Sequence, residues 1–130
     1  MRLKQGLGVI AVEGKAREPF GEPVSKWNTT TGTHARLENL CEELGLDPST
    51  VGGLRYQLLH RTVSALIEAE RYGASEALMI VHSFDPGDAS LSDYQRFAEA
   101  MAVDGATTNA ITSAATLRGV NLRLGWVKES

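Results

Sequence analysis

The sequence has a single cysteine, Cys41, and so cannot close a disulfide within the chain. No basic segment leads into an apolar one at its start, so no secretory leader is read there and a reducing cytoplasm is the expected compartment. The longest apolar run, Ala77 to Val81, is far short of the roughly 20 residues that cross a bilayer, and no membrane partner is expected. A basic surplus is also missing. The net charge of -3 and pI ≈ 5.6 argue against a protein that coats nucleic acid by charge alone. Nine of the 13 basic residues are Arg, which suits forked contacts to phosphate or carboxylate but is equally common in surface ion pairs.

Several chemical signatures are absent too. His34, His60 and His82 have no zinc-site spacing, and Cys41 has no partner at C-x-x-C or C-x-x-H distance. Ser64 and Ser83 lie in no G-x-S-x-G elbow, and no glycine-rich loop matches a phosphate-cradling motif. Trp27 and Trp126 are isolated aromatics, suited to packing more than to stacking on bases. With 42% hydrophobic and 22% charged residues, the chain has no disordered, collagen-like or coiled-coil bias. Its 130 residues suit one α/β domain, residues 1–130, with one core.

What is present is an alternation of strands and helices. Leu7 to Lys15 is a β-branched run between glycines and charge, the pattern of a strand. Period two puts Val9, Ala11, Glu13 and Lys15 on one face and Ile10, Val12 and Gly14 on the other. Arg17 to Thr33 reads as a loop with a fragment of structure around Val24 to Trp27. From about Thr33, the spacing of Leu37, Leu40, Cys41 and Leu44 predicts a helix closed by Gly45. Leu54 to Arg71 is the strongest helix, with Leu58, Leu59, Thr62, Val63, Leu66 and Ile67 on its buried side and Gly73 ending it. Gln57, His60, Arg61, Ser64, Glu68 and Arg71 form its polar stripe.

Ala77 to Phe84 has the near-continuous apolar pattern of a strand covered on both faces, with His82 as a core-edge histidine satisfied by a neighbour. Asp85-Pro86-Gly87-Asp88 is turn chemistry, and Ser92 is placed to cap a helix carrying Tyr94, Phe97, Ala98 and Met101. Asp104 to Gly119 shows no period, whereas Leu122, Leu124 and Trp126 alternate as a final strand. This order predicts a three-layer α/β fold, a mixed or partly parallel sheet flanked by helices.

One spacing carries a mechanism. Glu13-Gly14-Lys15 ends a strand with both side chains on one face; a carboxylate there can hold Mg²⁺, and a lysine two residues on can offset charge developing on a phosphate. Alone, E-x-K is more often a solvated pair. The sequence of elements that follows resembles the core of the PD-(D/E)xK, or restriction-endonuclease-like, superfamily over about Leu7 to Phe84. That resemblance implies a Mg²⁺-dependent nuclease with Glu13 as metal ligand, Lys15 as the motif lysine, and Gln57 as the helix glutamine that some RecB-like members place beside the metal. Position 61 is Arg where those members have Tyr. Arg61 and His60 on the same stripe then become candidates for binding substrate phosphate, and nucleic acid becomes the implied partner. The superfamily's first Asp, however, belongs on the strand before E-x-K, and Met1 to Val12 contains no acidic residue. The expectation is therefore either a shortened chain lacking the fold's first strand or a degenerate member. VEGKAREPFGEPVSKW and LRYQLLHRTVSALIEA also resemble a family of uncharacterised bacterial proteins. Two functions stay open: an endonuclease-like Mg²⁺-dependent phosphodiesterase or its degenerate relative, and a non-catalytic homo-oligomeric interaction module in which Glu13 and Lys15 form an ion pair and the Gln57 stripe binds a partner.

Overall fold

The computed structural model describes residues 2–3, 6–15, 19–84 and 90–129. In chain order these form β1 (Arg2–Leu3), β2 (Gly6–Lys15), α1 (Val24–Trp27), α2 (Thr31–Leu44), a 3-10 turn (Pro48–Thr50), α3 (Tyr56–Arg71), β3 (Glu76–Ser83), α4 (Leu91–Ala100), β4 (Ala110–Ile111), β5 (Ala115–Leu117) and β6 (Val120–Lys128). The turn expected at Asp85-Pro86-Gly87-Asp88 lies outside the described residues.

Local chemistry sets the helix ends. Thr30 caps α2 by accepting from the Thr33 N–H at 3.1 Å, and Thr33 Oγ1 accepts from the Thr30 N–H at 2.9 Å. This is the reciprocal pattern of a capping box with threonine in the usual Glu position. Gly45 closes the helix at φ 70, a left-handed conformation that costs an L side chain energy. The first N–H groups of α3 are used by the preceding loop: Tyr56 donates to the Glu22 carbonyl at 3.1 Å and Gln57 to that of Phe20 at 3.3 Å. Helix α3 starts two residues later than the periodicity suggests, with Arg55 as its cap residue. Ile67 is half-exposed rather than buried, and Ala65 and Ala69 fill the inner positions instead. Helix α4 begins at Leu91, with Ser90 rather than Ser92 at the cap and no side-chain cap bond.

The strands form one six-stranded sheet in the order β1-β2-β3-β6-β4, with β5 also pairing β6. The central three strands are parallel, in rows such as Ile10↔Leu78↔Arg123, Val12↔Ile80↔Gly125 and Gly14↔His82↔Val127. Strand β1 meets only the start of β2, antiparallel, while β4 and β5 run antiparallel to β6. These two short strands account for the stretch in which no period is legible.

Cross-strand partners share a face, so the two sides of the sheet can be read directly. One side presents Val9, Ala11, Met79, Val81, Leu122, Leu124 and Trp126, packed on Leu58, Leu59 and Leu66 of α3 and on Leu37, Leu40 and Cys41 of α2. Helix α4 joins the same layer, its Tyr94 ring 5.1 Å from that of Trp126. The other side presents Ile10, Val12, Leu78, Ile80, Gly125 and Val127, with Ile111 of β4 beside them, and no described helix covers it. The mixed α/β class is as expected. The three-layer arrangement is not: among the described residues the helices form one layer on one face. In β3 burial alternates residue by residue, so its apolar run is covered on one side only. His82 accordingly lies half-exposed on the open side, paired with Glu129 at 3.2 Å.

The candidate site at the strand ends

Helix α3 links β2 to β3, so its start lies at the carboxyl ends of the parallel strands, where ligands bind in open α/β sheets. Period two and this crossover put Glu13 and Lys15 on the helix-facing side. Glu13 Oε2 lies 3.5 Å from Arg61 Nη2. Lys15 is 2% exposed; its Nζ donates to the Pro19 carbonyl at 2.8 Å and sits 5.0 Å from the centre of the Phe20 ring.

Gln57 packs over Gly21. That glycine has φ 70, and a β-carbon there would come 3.1 Å from Gln57 Cγ. Arg55 continues the polar rim, donating from Nη1 to the Gly21 carbonyl at 3.0 Å and pairing through Nε with Asp93 Oδ2 at 3.3 Å. His60 is exposed, its ring tilted against Tyr56 at 5.7 Å, and Tyr56 stacks on Trp27 at 4.1 Å. Trp27 is thus part of an aromatic stack, while Trp126 is core, set edge-on against Phe20.

The structure thus brings Glu13 and Arg61 into an ion pair, sets Lys15 on the same strand face and Gln57 at the α3 start, and leaves His60 to an aromatic ledge. The Arg55–Asp93 pair joins the cluster and was not legible, because its two residues are far apart in sequence and neither lies in a motif.

Among the described residues the donor set does not fit Mg²⁺. That ion is usually held by one or two carboxylates while it keeps several waters. Here the one carboxylate on the strand face is engaged by a guanidinium, and a lysine shares that face. Among the described residues, no three His, Cys, Asp or Glu side chains converge as a metal group. The opening N–H groups of α3 are likewise occupied by the carbonyls of Glu22 and Phe20, which removes them as a phosphate cradle.

Behind the cluster, Tyr94 is fully buried, which pushes its pKa up to about 12, and its hydroxyl has no hydrogen-bond partner among the described residues. Trp126 Nε1 is likewise buried and without a hydrogen-bond partner among the described residues. Burial, helped by the Asp47 charge, also raises the pKa of the Cys41 thiol.

Among the described residues, one helical layer on a mixed sheet, a bare apolar face and an ion-paired cluster at the strand ends define a two-layer α/β arrangement. The chain belongs to the family described as "Domain of unknown function (DUF6946)", whose profile matches residues 1–130. No curated protein and no solved structure matches it.

Proposed function

We propose that this domain works by binding, as a non-catalytic interaction module, rather than by Mg²⁺-dependent phosphodiester hydrolysis. The observation that carries this reading is the open face of the sheet. Exposure there reaches 43% for Ile10, 52% for Val12, 58% for Ile111 and 41% for Val127, on neighbouring strands, with Arg123 on the same face in the row of Ile10 and Leu78. Contiguous apolar surface of this kind, rimmed by polar residues, marks interaction sites on soluble proteins. The Glu13–Arg61 pair supports the same reading, because a guanidinium holds the carboxylate that a metal would need.

One observation favours a second reading. Glu13 and Lys15 do share the helix-facing side of β2, with Gln57 at the start of α3, as the endonuclease-like resemblance implies. A plasmid-nicking assay with Mg²⁺ or Mn²⁺ on the wild type, Glu13→Ala and Lys15→Ala separates the two. The binding reading expects no metal-dependent nicking above background in any of the three. Nicking by the wild type that disappears in both variants would overturn it and restore the nuclease.

A further inference from the structure

We infer that the open sheet face docks a second copy of this chain, face to face and antiparallel, so that the dimer has two sheets inside and a helical layer on each outside. This deepens the binding reading above and rests on it.

The first argument comes from the sequence of the strands. Parallel sheets normally have both faces covered, and their strands then read as near-continuous apolar runs. Ile10, Ala11 and Val12 in β2 and Ala77 to Val81 in β3 have that composition, yet one side of each is bare among the described residues. Composition suited to two covered faces, with one helical layer present, calls for a second apolar layer from outside the chain. A matching sheet supplies it, since sheets pack about 10 Å apart with their strand directions within about 30°.

The second argument is the distribution of charge. The centre of the face is uncharged. At the end where β3 and β6 begin, Arg123 Nη1 pairs with Glu76 Oε2 at 3.1 Å; at the end where they finish, His82 Nε2 meets Glu129 Oε2 at 3.2 Å. Both borders belong to the open side, because Arg123 shares its row with Ile10 and Leu78, and His82 shares its row with Gly14 and Val127. A two-fold axis in the interface, perpendicular to the strands, lays one border over the other. Arg123 of one copy then approaches Glu129 of the second, and the contact is self-complementary, as a symmetric dimer requires. A two-fold along the strands would instead set each border on its own copy. A polyanion has nothing to hold in a neutral apolar centre, which argues against nucleic acid as occupant.

Area agrees. The bare apolar side chains expose on the order of 500 Å², and the polar borders bring the patch toward the roughly 800 Å² per partner of a standard interface. The face is not flat. Grooves of about 390 Å³ (Ile80, Ala110, Ile111, Gly125, Val127) and about 200 Å³ (Val9, Leu78, Ile111, Arg123) lie on either side of Ile111, ready to take side chains of a facing sheet.

The test is sedimentation equilibrium of the full chain, with far-UV circular dichroism to confirm folding. The wild type should be dimeric, with a dissociation constant on the order of micromolar or tighter. Val12→Glu and Ile111→Glu replace exposed side chains on different strands, and each should give folded monomer. Arg123→Glu should weaken the dimer at least tenfold, and adding Glu129→Arg should restore it. A wild type that stays monomeric to millimolar concentration, or a dimer that survives both glutamate variants, would overturn the proposal while leaving the non-catalytic reading to the nicking assay. Failure of the charge-reversed pair to recover would overturn the antiparallel arrangement.

Discussion

At the residue scale, the contrast between Glu13 and Tyr94 separates surface electrostatics from burial. The Glu13–Arg61 pair is long, at 3.5 Å, with side chains 19% and 39% exposed, so its Coulombic gain is screened and offset by side-chain ordering. Arg61→Ala should therefore cost at most about 1 kcal/mol in urea denaturation. A loss of several kcal/mol would show the pair to be an organising part of the fold. Tyr94 behaves in the opposite way. Its folded pKa, pushed up to about 12, lies above the ordinary tyrosine value near 10. Between those two pH values the unfolded chain has released the phenol proton and the folded chain has kept it. Stability is then lost as pH rises through this window, by up to roughly 1.4 kcal/mol per pH unit. Tyr94→Phe should flatten that alkaline loss in denaturant melts at pH 9 to 12. It should also be tolerated at pH 7, because the hydroxyl it removes has no partner among the described residues.

At the scale of elements, legibility followed length. Strand β2, helices α2, α3 and α4, and strands β3 and β6 each carry enough residues for a period to show, and Gly45 marked the end of α2 through its own conformational freedom. Strands β4 and β5 span two and three residues in an Ala- and Thr-rich stretch, too short for any period, and they exist because β6 offers them an edge. Ile67 shows the other limit: its apolar character placed it on the inner stripe, but the sheet lies under Ala65, Leu66 and Ala69. Glycine gives a direct test of which positions are conformational. Gly45→Ala meets only ordinary contact, with Leu117 Cδ2 at 3.6 Å, yet stands at φ 70, so it should lose about 1 kcal/mol in thermal denaturation. Gly14→Ala, with nothing within 4 Å and no left-handed φ, should leave the melting temperature of the monomer nearly unchanged.

For the molecule as a whole, the α/β class was legible because strand and helix periods alternate, but the number of layers was not. An apolar run shows that a strand needs cover on both faces and does not say whether the cover comes from the same chain. The strand-end cluster was partly legible: Glu13 and Lys15 through period two and the α3 stripe through period 3.6. The engagement of Glu13 by Arg61 depends on where the crossover sets the helix down. If two copies close the bare face, dissociation is coupled to unfolding and the melting temperature becomes concentration-dependent. Scanning calorimetry across a hundredfold dilution should show the wild type melting earlier as it is diluted and Val12→Glu melting at a constant temperature. Equal curves for the two proteins would count against association at this face.

The strand order also determines when the sheet can be completed. Gly8 is in register with Glu76, and Glu76 with Asn121, so the central pairings join residues that are distant along the chain, whereas α2 and α3 are sequence neighbours that touch. Closing such long loops precedes the reward of pairing, which slows folding into the millisecond-to-second range typical of non-local topologies. Strand β6 follows every other described element, and it carries Leu122, Leu124 and Trp126 into the core. Until that strand arrives, β3 has no partner on one edge, β4 and β5 have nothing to pair with, and the ring sites of Phe20 and Tyr94 lack the indole they pack against. A chain emerging in order from the ribosome therefore holds its apolar strands open until β6 has been made, and this interval exposes the protein to aggregation.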